Sequence, residues 1–211
     1  MRLYLIRHGQ STWNEQNRIQ GHSNPSLTEK GRTQIGKLIP RLKREGVEKI
    51  IASPLKRAHE SAQILAKGLD VECHTYRGLM EIFLGEWEGM SPDEINQTYK
   101  DGYKKWLKGP SKIRIPKAET IFQFRRRAVR AIKKILAAEK KERIAIVTHG
   151  GILSALISHW LKADFDKVLL SLFCENSCLT IAEVYKGKVY LTEVNDTAHL
   201  HGPHFQEEPP V

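Results

Sequence analysis

Leu3-Tyr4-Leu5-Ile6 is a continuous apolar run of strand formers that stops at Arg7-His8-Gly9. A run without polar alternation is what a strand buried on both faces of a parallel sheet requires. From Thr28 to Arg44 the period changes, with apolar residues at Ile35, Leu38, Ile39 and Leu42, and the segment reads as a helix capped by Thr28. Lys49 to Ala52 reads as a second strand ending at Ser53-Pro54, Leu55 to Leu69 as a helix, and Val71 to Tyr76 as a weaker strand. Met80 to Met90 reads as an ordered loop. Ser91-Pro92-Asp93-Glu94 then supplies an N-cap, a proline in the first turn and two acids for a helix through about Leu107. Gly109 to Lys117 is a surface connection, and Glu119 to Lys141 a long basic helix. Ile144 to Val147 is the clearest buried strand, ending at Thr148-His149-Gly150-Gly151 before a helix over Ile152 to Leu161. Leu179 to Tyr185 and Val189 to Val194 flank Lys186-Gly187-Lys188 as a hairpin.

Strands alternating with helices predict a three-layer αβα sandwich, its central sheet mostly parallel, with an antiparallel edge from the final hairpin. Residues 1–201 are expected to form one domain, with about 78–118 as a cap or lid, and 202–211, rich in proline, as a mobile tail. The 211 residues and 40% hydrophobic content allow a sizeable core. No stretch approaches the ~18 apolar residues of a membrane span, and Arg2 interrupts any signal-peptide reading, so a cytoplasmic location without membrane attachment is expected. Three cysteines form no disulfide framework and are expected as reduced, buried or half-buried thiols.

Lys and Arg number 34 against 24 Asp and Glu, a formal charge of +10, which favours an anionic partner. Runs such as Lys133-Lys134 and Lys140-Lys141 sit beside apolar residues at helical spacing and read as solvated helix faces. Three strand ends carry polar residues of one flavour: Arg7-His8-Gly9, Ser53-Pro54-Leu55-Lys56-Arg57 and Thr148-His149-Gly150-Gly151. Ligands of open α/β sheets bind beyond the carboxyl ends of the strands. If these strands are neighbours, two histidines and two arginines meet in one crevice. Arg forks, His donors and helix N-termini together describe a site for a multiply charged oxyanion, and phosphate fits best.

The order Arg7-His8-Gly9 with Ser11 and Asn14, then Ser53 to Ala58, Glu81 with Gly85-Glu86-Trp87-Glu88-Gly89, and Thr148-His149-Gly150-Gly151 resembles the histidine phosphatase superfamily, the phosphoglycerate mutase-like proteins, across nearly the whole chain. Leu27 to Gly31 and Asn195 to Leu200 resemble further family segments. The resemblance implies that His8 is the nucleophile and forms a phosphohistidine. Arg7, Arg57 and His149 hold the transferring phosphoryl group, with Asn14, Ser11 and Gly150 in the phosphate-binding set and Gln20 near the substrate. Glu81 protonates the leaving oxygen and then activates water; Glu86 and Glu88 are weaker competitors for that role. No cofactor and no metal are implied, because so much fixed positive charge already faces the phosphate. Many relatives are dimers, and the hairpin could pair two copies across a two-fold axis. The chain departs from the family at Gln10, Asn24 and Ile35, and in Lys117-Ala118-Glu119-Thr120, which replaces a Gly-Gly-Glu-Ser segment and puts substrate contacts from that loop in doubt.

The leading expectation is a metal-independent phosphatase acting on a small acidic phosphorylated metabolite, with phosphoserine and α-ribazole phosphate among the candidates. Cys174 to Ser177 and Asn195 to Leu200 look like those two branches. A 2,3-bisphosphoglycerate-dependent phosphoglycerate mutase is the runner-up, disfavoured by the short interval between Glu81 and His149. A non-catalytic polyanion-binding module is the third reading; it lacks the aromatic-interleaved basic strip of single-strand binders, and nucleic acid is not expected as a partner. Further expectations concern histidine and tryptophan. His22 and His59 read as surface residues, and Trp87 as packing. His199, His201 and His204 are spaced poorly for a metal site, and His199 reads as part of a segment folding back near the site mouth.

Overall fold

A computed structural model describes residues 1–201; the tail proposed for 202–211 lies outside the described residues. Strand β1 (Arg2–Arg7) leads into the short helix α1 (Thr12–Glu15), then α2 (Glu29–Gly36) and α3 (Ile39–Arg44). Strand β2 (Lys49–Ala52), helix α4 (Lys56–Leu69) and strand β3 (Cys73–Thr75) follow. The connection to the long helix carries α5 (Pro92–Thr98) and α6 (Gly102–Trp106). Then come α7 (Ile121–Ala138), β4 (Arg143–Thr148), α8 (Gly150–Trp160), α9 (Phe165–Ser171) and the hairpin β5 (Leu179–Tyr185) and β6 (Lys188–Asp196).

The six strands form one sheet in the order β3-β2-β4-β1-β5-β6. The first four are parallel, while β5 runs antiparallel to β1 and β6 antiparallel to β5. Alternate residues of the central strands enter different cores, as the pleat requires. Leu3, Leu5, Ile144 and Ile146 pack under α7 and α8 with Phe124, Ile132 and Leu156. Tyr4, Ile6, Ala145 and Val147 pack against Ile35, Leu42 and Leu65 on the opposite face. The apolar runs are therefore continuous because both faces are covered. Arg126, Arg130, Lys133 and Lys134 lie on the exposed side of α7, as its basic pattern predicts.

Two helices read as continuous are each broken. Pro40 enters α3 at its first turn, where a proline ring would collide with the carbonyl of the preceding turn of an unbroken helix, so α2 and α3 are separate. The second break falls at Lys100 and Asp101, both left-handed (φ +47° and +62°). It turns α6 back so that Trp106 meets Trp87 edge-on at 6.0 Å. Helices α1 and α9 were not expected; Asp164 caps α9 by accepting from Lys167 N at 2.9 Å. The caps Thr28 and Ser91 are as the sequence predicts, with acceptor distances of 3.0 and 3.2 Å. Among the described residues no helix is long and apolar enough to cross a membrane.

Candidate active site

The register of the central strands assembles the site. Arg7 pairs with Thr148 and Ala52 with Val147, so the residues that follow, His8, Ser53 and His149, emerge side by side at one sheet end. His8 N donates to Thr148 O at 3.0 Å and Ser53 N to Val147 O at 2.9 Å, which fixes the three loops against one another. The rings of His8 and His149 lie edge to face, 5.2 Å between centroids. His8, Arg57 and His149 are 3%, 1% and 0% exposed.

His8 Nδ1 contacts Gly9 O at 2.7 Å, and a carbonyl only accepts, so the ring proton sits on Nδ1. Nε2 is then the nitrogen with the lone pair, and Arg57 Nε donates to it at 3.2 Å. The other arms of Arg57 donate to Ser23 O at 2.9 Å and Gly21 O at 3.0 Å, so the fork is aimed by backbone. Burial pushes Arg57 down to about 10, still charged at neutral pH. Arg7 Nη1 donates to Cys174 O, while its buried Nε has no partner. Ser53 Oγ accepts from Leu55 N at 3.3 Å and lies 2.8 Å from His149 Nε2. We assign the Ser53 proton to that contact, which puts the His149 proton on Nδ1, a buried nitrogen with no partner. Unpaired buried donors carry a desolvation cost, so two of them at one sheet end are free to donate to an anion that enters there.

Glu81 sits across this group. Its Oε1 accepts from Ile82 N at 2.9 Å and its Oε2 from Gly151 N at 3.1 Å. Its carbonyl is held by Arg127 Nη2 at 3.0 Å and His22 Nε2 at 2.7 Å. His22 is thus no idle surface histidine: it braces Glu81 and lies 5.1 Å from the ring of Phe83. Glu88, one of the competitors for the acid role, is occupied elsewhere, accepting from His22 N, Ser23 N, Ser23 Oγ and Leu84 N at 2.8 to 3.1 Å. Glu86 is turned to Tyr99 and Lys117. Glu119, in the segment that departs from the family, accepts from Phe83 N at 2.9 Å and pairs with Arg127.

Asn14 and Gln20 are joined through Ser11, whose Oγ lies 2.9 Å from an oxygen of each. Ser11 is 0% exposed and caps α1, so it positions these two amides from beneath. Sequence reasoning missed Asn176, which donates to His8 O and Asn14 Oδ1, both at 3.2 Å. It also missed the division of labour in Gly150-Gly151. A Cβ on Gly150 would meet nothing nearer than Arg7 Nε at 3.7 Å, whereas one on Gly151 would overlap the Glu81 carboxylate and stand 3.2 Å from Phe124 Cζ. Gly151→Ala is therefore expected to lower turnover by about 10²-fold, as removal of a positioned acid does, and Gly150→Ala to change it several-fold at most. Steady-state rates of the two variants, with circular dichroism to show that both fold, check the contrast.

Trp87 is buried as packing, and the three cysteines are free thiols, two of them buried. Ser177 N donates to His8 O at 3.1 Å. The segment after β6 lies against the end of α2, where Lys37 Nζ donates to Leu200 O at 3.1 Å, and His199 is held down at about 4, mainly by burial. His204 lies outside the described residues.

His8 and His149 are both held well below the usual histidine value, chiefly by burial and then by Arg57. An unfolded histidine titrates near pH 6.5, so as pH falls below about 6.5 the unfolded chain takes up protons that the folded one refuses. Stability from these groups is complete above that pH and declines below it, by about 1.4 kcal/mol per pH unit for each histidine. The urea midpoint is expected to drop between pH 6.5 and 5, and less steeply in a His149→Asn variant; equal slopes would contradict the assignment.

A doubly covered α/β sheet brings buried histidines, forked arginines and one carboxylate together at its strand ends, an arrangement with the chemistry to receive a tetrahedral oxyanion. Residues 3–197 match the sequence model of the histidine phosphatase superfamily (branch 1). The chain belongs to that superfamily. It is 27% identical over 200 residues to phosphoserine phosphatase 1 of Hydrogenobacter thermophilus, covering 95% of this chain and 94% of that protein. It is 30% identical over 212 residues to the probable phosphoglycerate mutase GpmB of Yersinia pestis, covering 98% of each. The solved structure of Bacillus stearothermophilus YhfR superposes with a TM-score of 0.90 at 31% identity, covering 95% of this chain and 99% of that one.

Proposed function

We propose that this chain is a phosphomonoesterase that needs no metal and hydrolyses a small acidic phosphorylated metabolite through a phosphohistidine on His8. The observation that carries the reading is the contact of His8 Nδ1 with Gly9 O, which puts the ring proton on Nδ1 and leaves Nε2 unprotonated, accepting from Arg57 Nε. Nε2 attacks phosphorus and the ester P–O bond breaks. Glu81 gives its proton to the departing alkoxide, which leaves poorly without one. Water then attacks the phosphohistidine, Glu81 takes the water's proton, and cleavage of the P–N bond restores His8. Arg7, Arg57 and His149 Nδ1 stabilise charge on the equatorial oxygens, where positioning and electrostatics supply most of phosphoryl-transfer catalysis. Asn14 is a further ligand of the phosphoryl group and Gln20 lies near the substrate, both held by Ser11, and the Gly150 N–H at the start of α8 adds a backbone donor. Residues 1–201 then act as one domain, with 78–118 as the cap over the pocket.

Phosphoserine heads the candidate substrates, supported by the likeness to phosphoserine phosphatase 1 over nearly the full length of both chains. The likeness to a probable phosphoglycerate mutase supports a second reading, in which the phosphohistidine is returned to a phosphoglycerate. A panel in EDTA separates them: p-nitrophenyl phosphate, phosphoserine, α-ribazole phosphate and 3-phosphoglycerate, with free phosphate as readout. Release is expected from the wild type, ranked by ester. No release from any ester, together with mutase activity primed by 2,3-bisphosphoglycerate, would establish the second reading instead.

A further inference from the structure

The loop between α9 and β5 reaches back to the strand that carries His8. Its turn is closed by Cys178 N, which donates to Glu175 O at 3.2 Å. The carboxamide of Asn195 pins it from β6, Oδ1 accepting from Glu175 N at 3.0 Å and Nδ2 donating to Phe173 O at 2.8 Å. Asn176 stands at the tip. Ser177 beside it, left-handed at φ +69°, donates its N–H to His8 O at 3.1 Å. The loop is thus held against the end of β1 by contacts that do not use the Asn176 side chain.

That side chain has a different task, and its neighbours decide which end of each carboxamide faces them. A backbone carbonyl only accepts, so the Asn176 atom 3.2 Å from His8 O is its NH2. A backbone N–H only donates, so the Asn14 atom 3.1 Å from Ser11 N is its oxygen. The second proton of the Asn176 NH2 meets that same Asn14 oxygen at 3.2 Å. Both lone pairs of Asn14 Oδ1 are then filled by N–H donors. Ser11 has one hydroxyl proton and two oxygens at 2.9 Å, Asn14 Oδ1 and Gln20 Oε1. With Asn14 already supplied by Asn176, the hydroxyl proton goes to Gln20. Each carboxamide is left with an NH2 that donates to no protein acceptor among the described residues.

We propose that Asn176 is a positioning residue of the phosphoryl pocket: by donating to Asn14 Oδ1 it commits the NH2 of Asn14 directly, and that of Gln20 through Ser11, to the bound anion. The inference rests on the phosphoryl site proposed above. Without the Asn176 donor, the Ser11 proton is drawn to Asn14 and Gln20 is released to present its oxygen. An amide oxygen beside a phosphate repels it, where an NH2 donates a charge-assisted hydrogen bond. Asn176 acts on the anion only through these two side chains.

The test is a double-mutant cycle read by the affinity for orthovanadate, a phosphate mimic, in calorimetry. Asn176→Ala and Asn176→Leu, the second close to asparagine in size but donating nothing, should each weaken binding about tenfold or more. A packing role would spare Asn176→Leu. In an Asn14→Ala/Gln20→Ala background the same changes are expected to cost less than about twofold, because the groups they act through are gone. In the unaltered, ¹⁵N-labelled protein, orthovanadate is expected to move the side-chain NH2 signals of Asn14 and Gln20. Losses that add across the cycle, undiminished binding in Asn176→Leu, or NH2 signals that ignore bound orthovanadate would each overturn the inference and leave the phosphatase reading intact. A wild type that binds no orthovanadate and releases no phosphate would overturn that reading, and this inference with it.

Discussion

His8→Ala is expected to abolish phosphate release from every ester in the panel, by a factor on the order of 10⁶ if the nucleophile of this site matters as nucleophiles do in other covalent enzymes. The fold should survive. His8 sits at the end of β1, its side chain makes one contact to its own neighbour's carbonyl and accepts one from Arg57, and the strand's core contacts come from Leu3 to Ile6. The variant loses a buried ring that has to be kept neutral, so its stability should depend less on pH below 6.5 than that of the wild type. Phosphate release by His8→Ala within tenfold of wild type would remove His8 from the mechanism.

Glu81→Gln should separate esters by leaving group. An alkoxide such as that of serine needs a proton to depart, and the loss there is expected at about 10²–10⁴-fold. The p-nitrophenolate ion departs unaided, so phosphorylation of His8 by p-nitrophenyl phosphate should continue nearly unchanged. Hydrolysis of the intermediate would still lack its base. The expected result is a burst of one p-nitrophenol per enzyme followed by slow turnover, in rapid-mixing absorbance. Glutamine keeps the oxygen that accepts from Ile82 N or Gly151 N, so the pocket should hold its shape. An equal loss on both esters, with no burst, would assign the proton transfer to another group.

The sheet and its flavour of strand ends were legible because the information is local. Four apolar residues before Arg7 and four before Thr148 are enough to specify strands covered on both faces, and the polar residues after them fall at the carboxyl end by topology. The breaks in the two long helices were harder to read. Pro40 was visible but sits at a helix start as comfortably as it ends one. The reversal at Lys100-Asp101 carries no glycine or proline at the turning residues and accompanies a tertiary contact, Trp106 on Trp87, that local sequence does not display.

Within the site, the chemistry-bearing residues had motifs and their supports did not. Ser53 and Gly151 belonged to the motifs, yet their tasks, fixing the His149 tautomer and seating Glu81, exist only in three dimensions. His22, Glu88 and Asn176 act on backbone groups far away in sequence, at separations of 59, 66 and 168 residues. A backbone carbonyl waiting for a donor, or a backbone N–H waiting for an acceptor, leaves no trace in side-chain chemistry, so none of the three had a visible partner in the sequence.

The central claim is that phosphate leaves this protein by way of His8 Nε2. Wild type and Glu81→Gln, mixed with p-nitrophenyl phosphate and quenched in alkali within milliseconds, should carry one added phosphoryl group by intact-mass spectrometry. Peptide mapping should place it on His8, and brief acid should remove it, since a phosphoramidate is stable in base and labile in acid. A phosphoryl group found on any other residue, or turnover with no phosphorylated protein in either form, would contradict the account.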